Sequence, residues 1–302
     1  MSTPPRSSRA GPSAAAGRDA LRLVVLGDST AFTDADGPQL PDHPALYPNV
    51  VARRLEAALG RPVAATVLAQ PGQTTRDAVR ALTKDRHVQF EVVAPADAVV
   101  VGLGSFDHAP LGTPPVLDAV VPYLRPTGLR RSVRRGLRAL HPHAVRLTGG
   151  RRPRTPAREF ERLFVLLLTQ IRGLTWGRAA GVVLGPTSHR SPYYGHRHPG
   201  HARAEARQLG LARAHRFAAV PVWEHVRDRL AQLNPDGIHW PVASHEGVGR
   251  AAAAALLEQL TDETPRIGLP GTGRAQAASA SPSSETVSTP IMSKGWTSQT
   301  KK

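Results

Sequence analysis

Apolar positions along this chain follow two alternating rhythms. Short unbroken apolar runs, Leu21-Arg-Leu-Val-Val-Leu26, Val63–Ala69, Ala98-Val-Val-Val-Gly-Leu103 and Gly181–Leu184, read as buried strands. Ala218–Trp223 reads as a last short strand. Between them the spacing turns helical. Leu46, Val50, Val51, Leu55 and Leu59 form one stripe over 45–59, and Thr74–Leu82 and Glu159–Gly173 follow the same period. Pro241–Leu260 reads as a closing helix, with its proline at a tolerated first-turn position. Such alternation predicts an α/β protein, a mostly parallel sheet with helices on both faces in a three-layer α/β/α sandwich. Ligands in such sheets sit beyond the carboxyl ends of the strands, so the loops after Leu26, Ala69 and Leu103 should share one rim.

Both ends of the chain lack this pattern. Residues 1–20 are rich in Ser, Pro, Ala and Gly, and residues 262–302 are similar. The sequence predicts a disordered leader, a catalytic domain over 21–261 and a disordered tail. There is no cysteine, which excludes disulfides, thiolate catalysis and thiolate zinc sites. No apolar run approaches the roughly 18 residues of a membrane span. The first apolar run leads straight into the candidate site, so cleavage after it would destroy the domain. The sequence therefore predicts a cytoplasmic protein. Each end carries a net +2, leaving +12 of the total +16 on the core. Ten arginines fall between Arg125 and Arg154 without one acid, a patch suited to anionic ligands.

The candidate chemistry lies at two places. Gly27-Asp28-Ser29-Thr30 follows the first strand directly. A serine there faces the cleft, and turn N–H groups beside it can hold an oxyanion. Asp and Ser at such a position also read as a helix N-cap. Asn234-Pro-Asp-Gly-Ile-His-Trp240 precedes the closing helix, and Asp236 and His239, three apart on a turn, can face the same way. A serine nucleophile needs a base and the base an orienting group. Asn-Pro and Asp-Gly are also ordinary turn dipeptides.

Taken together, an early GDS and a late DxxH resemble the SGNH (GDSL) hydrolase family over roughly residues 21–260. Gly72, in Ala69-Gln-Pro-Gly-Gln-Thr-Thr75, matches that family's second block. The resemblance implies an SGNH-hydrolase-like, flavodoxin-like fold, with Ser29 as nucleophile, Asp236 and His239 completing the triad, and the N–H groups of Ser29 and Gly72 forming the oxyanion hole. The family's third block, Gly-x-Asn-Asp, reads here Gly104-Ser105-Phe106-Asp107, and Phe cannot donate to the oxyanion. Losing one such donor typically costs roughly 10² to 10³ in kcat, and Ser105 is the candidate substitute. Pro44–Leu55, Pro122–Arg135 and Asn234–Trp240 further resemble the actinobacterial diglucosylglycerate octanoyltransferases, a group in which an apolar residue also replaces the third-block Asn. That resemblance implies an acyl donor (acyl-CoA or a similar thioester), a sugar acceptor such as a glucosylglycerate, and no cofactor.

Candidate substrate contacts follow. Asp28, Ser105 and Asp107 lie on the motif loops. Leu129, Val133, Leu137 and Leu140 describe an amphipathic helix whose other faces carry Arg130, Arg131, Arg134, Arg135 and Arg138. Those guanidinium groups read either as a solvated face or as a clamp for a carboxylate or phosphate, with Arg130, Arg131, Arg134 and Arg135 the named set. The absence of interleaved aromatics argues against nucleic acid, and the lack of large apolar residues against a membrane surface. His189, His196, His198 and His201 cluster in a Gly/Pro-rich stretch without acidic or Cys ligands, which reads as a mobile loop rather than a metal site. His189 is its candidate for substrate contact, and Tyr193 and Tyr194 either flank a sugar or pack. The function that gathers these features is acyl transfer through an acyl-serine. A plain esterase and a non-catalytic module binding an anionic sugar are the alternatives.

Overall fold

The computed structural model describes residues 20–112 and 120–262. The tails expected to be disordered, apart from Ala20 and Asp262, lie outside these residues. Five strands, β1 (Leu21–Gly27), β2 (Val63–Ala69), β3 (Ala98–Gly102), β4 (Ala180–Leu184) and β5 (Ala218–Val220), form one sheet in the order β2-β1-β3-β4-β5. Every neighbouring pair is parallel. The longer helices are α1 (Tyr47–Leu59), α2 (Thr75–Lys84), α3 (Thr127–Leu147), α4 (Ala157–Leu174), α5 (His201–Ala214) and α6 (Val242–Thr261). Pro241 stands just before α6 rather than in its first turn, with the extended backbone of an N-cap residue.

Alternate strand residues serve opposite faces, as the pleat requires. Leu21, Leu23 and Val25 of β1 pack with Tyr47, Val51 and Leu55 of α1 and with Val248, Ala252 and Leu256 of α6. Val24 and Leu26 face the other way, with Val99 and Val101 of β3, Phe160, Phe164 and Leu167 of α4, and Leu209 and Ala212 of α5. Helices thus cover both faces, and the architecture is the expected α/β/α sandwich. Each fully buried aliphatic side chain contributes about 1.5–3 kcal/mol. The two layers therefore hold the sheet from both sides and fix the strand ends that carry the loops.

Side chains also tie the strand ends at the rim. The Gln208 amide Nε2 of fully buried Gln208 donates to the carbonyls of Leu103 and Leu184, both at 2.8 Å. It bridges β3 and β4 where their own ladder ends. At the fourth strand's other end, Gln259 of α6 accepts from Gly181 N and donates to Gly181 O, each at 3.0 Å.

Helix α3 departs from the sequence expectation. Its apolar stripe is not buried: Leu129 is 48% and Leu140 61% exposed. Only His141 and Val145, in the second half, are buried. The His141 ring stacks on Tyr193 at 4.1 Å, and its Nδ1 donates to the Tyr193 carbonyl at 2.9 Å while Nε2 accepts from Gly112 N. The helix is therefore anchored by its second half, and its arginine-rich first half stands away from the core.

Candidate active site

Ser29 leaves β1 and opens a single 3₁₀ turn, Ser29–Ala31, rather than a long helix. The turn is held by Asp28, whose buried Oδ1 accepts from Thr30 N at 2.9 Å and from Thr30 Oγ1 at 2.8 Å. Burial pushes the Asp28 carboxyl up, although the two Thr30 bonds oppose it. The N-cap reading of this tetrapeptide thus holds for Asp28 and leaves the Ser29 hydroxyl free for chemistry. Ser29 Oγ lies 2.9 Å from His239 Nε2.

The turn that carries His239 builds its own frame. Asp236 Oδ2 stands 2.5 Å from His239 Nδ1. Its Oδ1 accepts from the N–H groups of Ile238 and His239 at 2.8 and 3.2 Å. Burial opposes ionisation of Asp236, but the His239 ring bond, the His239 charge and those two backbone donors outweigh it and hold the carboxyl below its ordinary range. With Asp236 ionised, Nδ1 carries the proton and Nε2 presents its lone pair to Ser29. Asn234 sets the turn: its Oδ1 accepts from Asp236 N at 3.1 Å, and its Nδ2 donates to the Ala35 carbonyl at 2.8 Å. Gly237 has a φ of 70°, and a Cβ there would sit 2.5 Å from the Arg190 carbonyl carbon. Only glycine closes this turn. The Trp240 indole donates to Thr187 Oγ1 at 2.8 Å, which pins the far side of the motif.

The second and third motif loops meet beside Ser29. Thr74 caps α2 in a reciprocal capping box with Asp77. Thr75 N and Oγ1 both donate to Asp107 Oδ2 at 2.8 Å, and Thr155 Oγ1 donates to Asp107 Oδ1 at 2.7 Å. Asp107 is wholly buried by these three bonds and does not line the cavity, so the structure corrects its expected substrate contact to a tie between loops. Gly72 has a φ of 65°, and a Cβ there would lie 3.2 Å from the Phe106 ring. Phe106 therefore covers Gly72, and the Arg154 guanidinium stacks over its outer face at 4.3 Å. Among the described residues the N–H groups of Ser29 and Gly72 donate to no protein acceptor.

A cavity of about 180 Å³ joins these parts. Asp28, Ser29, Gly72, Ser105, Phe106, His189, Tyr194 and Ile238 line it. The sequence had no signal for Ile238 as a wall, and it missed Thr187. Thr187 N donates to Ser105 Oγ at 3.0 Å, and among the described residues the Ser105 hydroxyl donates to no protein acceptor. The buried His189 ring donates Nε2–H to the Ser105 carbonyl at 2.7 Å, so it carries its proton there and fixes Ser105. Burial holds its pKa down at about 4. His189, Tyr194 and His201 are buried; the His198 ring lies tilted against His189 at 5.2 Å and edge to face with His201 at 5.4 Å. This corrects the mobile-loop expectation: these ring contacts and the bond from His201 Nε2 to Pro186 O hold the stretch. Among the described residues no three His, Asp or Glu side chains converge as metal ligands. Arg130, Arg131, Arg134 and Arg135 lie on the first half of α3, and none of them lines this cavity. Among the described residues no helix is long and apolar enough to cross a membrane.

Comparison with known proteins follows the same outline. Residues 25–246 match the GDSL-like Lipase/Acylhydrolase family. The diglucosylglycerate octanoyltransferase of Mycobacterium tuberculosis is 30% identical over 241 residues, covering 78% of this chain and 92% of that protein. The diglucosylglycerate octanoyltransferase of Mycolicibacterium hassiacum is 28% identical over 241 residues, covering 78% and 95%. Among solved structures, a lipase/acylhydrolase from Enterococcus faecalis superposes with a TM-score of 0.50 at 18% identity, covering 79% of this chain and 97% of that one. That likeness is one of fold.

Proposed function

Since this chain belongs to the GDSL-like lipase/acylhydrolase family, we propose that it is a serine-dependent acyltransferase that moves a medium-chain acyl group from an activated donor to a sugar hydroxyl. Residues 21–261 are its catalytic unit in this reading, which the extent of the family match supports. The observation that carries it is the line of hydrogen bonds from Asp236 through His239 to Ser29. His239 Nε2 takes the Ser29 proton as Oγ attacks the acyl carbonyl. Asp236 keeps the proton on Nδ1 and stabilises the imidazolium. The free N–H groups of Ser29 and Gly72 receive the oxyanion. Ser105 is the third donor: its hydroxyl lines the cavity, and the Thr187 N–H that it accepts turns its own proton outward. Collapse expels the donor's thiolate or alkoxide, which takes the proton from His239. The acceptor hydroxyl then gives its proton to Nε2 and attacks the acyl-serine, and Ser29 leaves reprotonated.

The two mycobacterial relatives are diglucosylglycerate octanoyltransferases, which supports an octanoyl donor and a glucosylglycerate acceptor here. The apolar faces of Phe106, Tyr194 and Ile238 suit an acyl chain. Plain hydrolysis is the second reading, favoured by one observation: the Asp236 side chain is 38% exposed, so water stands at the rim of the triad. The protein incubated with octanoyl-CoA and glucosylglycerates, followed by mass spectrometry, should yield the octanoylated acceptor. Free octanoate alone would establish the esterase. Labelling of Ser29 by a fluorophosphonate is expected in both cases, and its absence in the wild-type protein would reduce the fold to a binding module.

A further inference from the structure

A second and larger cavity, of about 610 Å³, lies behind the wall that bounds the first. The one-turn helix Ser105–His108 presents Ser105 and Phe106 to the candidate catalytic cavity and His108, at its end, to the second. Such a turn is about 6 Å long. The wall continues through His189, on the first cavity, and His198, on the second, whose rings are 5.2 Å apart.

The second cavity is uniformly electropositive. Arg151, Arg203 and Arg207 line it, and among the described residues no acidic one does. Arg207 keeps one ion pair with Glu161 at 3.1 Å. Arg151 and Arg203 have no carboxylate partner among the described residues. The first turn of α5 also forms part of the lining, at Gly200, Ala202 and Arg203. That 14-residue helix has no side-chain cap and no acid in its first turn; His201 N donates to the His198 carbonyl at 3.2 Å, and the N–H groups of Ala202 and Arg203 have no partner among the described residues. His108, only 7% exposed, and His198 form the inner wall of this cavity. Cations gathered in a concavity repel one another, and one anion seated between them would relieve that repulsion.

We propose that this cavity is an anion-binding site that takes a phosphate or carboxylate group through Arg151, Arg203 and the N-terminus of α5. Two arginine forks on one concave wall match the paired oxygens of either group. Its place one thin wall from Ser29 makes the anionic end of a substrate the natural occupant, and that part of the assignment rests on the acyl-transfer reading. The anion site itself does not. A donor's phosphates and an acceptor's glycerate carboxylate share the required chemistry.

The test is calorimetric titration of the full-length protein, at physiological salt, with pyrophosphate for the donor and D-glycerate for the acceptor. At least one should bind, and the one that binds identifies the source. The R151A/R203A double variant should lose at least tenfold in affinity while keeping its melting temperature and its turnover of a neutral p-nitrophenyl ester. Binding in R130A/R131A/R134A/R135A, which alters only the far half of α3, should stay within twofold of wild type. Failure of both anions to bind overturns the proposal. So does unchanged affinity in the double variant, or an equal loss in the quadruple variant, which would assign binding to diffuse charge. Failure of acyl transfer would remove the catalytic reading and leave these titrations standing.

Discussion

Mild acid should unfold this protein, because its interior holds several histidines in the neutral form. Burial lowers the pKa of His108, His189 and His245 to about 4, and that of His198 to about 2, from an ordinary value of 6.5. In the unfolded chain these rings take up protons as pH falls through 6.5. In the folded chain they stay neutral until about pH 4. Their contribution to stability is therefore complete above pH 6.5 and is lost as pH drops toward the folded values. A group neutral in the folded state and titrating at 6.5 in the unfolded one costs about 1.3 kcal/mol between pH 7.5 and 5.5. Four such groups give about 5 kcal/mol, a large part of the roughly 5–15 kcal/mol typical of a domain. Asp28 and Asp107 act in the opposite sense, since burial raises both carboxyls and lets the folded state hold protons. The net uptake on unfolding at pH 5.5 should then be about two to four protons. Urea unfolding followed at pH 7.5, 6.5 and 5.5 gives this number as the slope of stability against pH. A slope below that of one proton, about 1.4 kcal/mol per pH unit, would refute the argument. The variant His198→Gln should flatten the slope, since it removes one of the rings that must charge.

Further outcomes follow from the site. Ser29→Ala should abolish both transfer and hydrolysis with the melting temperature unchanged, and retention of more than about a thousandth of wild-type activity would exclude a serine nucleophile. Ser105→Ala should lower kcat about 10²-fold with KM changed less than twofold, as expected for a donor used in the transition state; an unchanged kcat would remove Ser105 from the oxyanion hole. Gly72→Ala forces an alanine into left-handed backbone against the Phe106 ring, so it should cost about 1–2 kcal/mol in chemical denaturation and reduce kcat as well. Asp107→Ala strips the acceptor from three donors and should destabilise by about 3 kcal/mol or more, whereas Asp107→Asn, which keeps an acceptor oxygen, should lose much less in the same assay.

Most of the frame was legible because it obeys simple periods. Buried parallel strands are continuous apolar runs, and β1, β3 and β4 have no other reading. The Ser29 and Asp236–His239 motifs were legible because each encodes its own turn: Asp28 caps locally, and Asp236 gathers the N–H groups of its own loop. What escaped the sequence depends on distant partners. Asp107 has the residue type of a substrate ligand, and only the approach of Thr75 and Thr155 reveals a tie. A helical stripe says that a face of α3 is apolar, not what covers it; Leu129 and Leu140 remain 48% and 61% exposed. The histidine stretch looked loose from its Gly and Pro content, yet tilted and edge-on ring contacts join residues 189, 198 and 201. The second cavity drew Arg151 from one segment and Arg203 and Arg207 from another, a juxtaposition with no local signature.

The bond between Ser29 and His239 spans 210 positions of sequence. Between them lie four of the five strands, and β1 pairs at once with β2 and with β3. Contacts of such separation form late, after the loop-closure entropy of the whole chain has been offset by the core. Return of ester turnover during refolding should therefore trail the return of helical signal and coincide with global protection of the sheet. The enzyme carries its own clock for the completion of folding, and no fragment ending before His239 can start it.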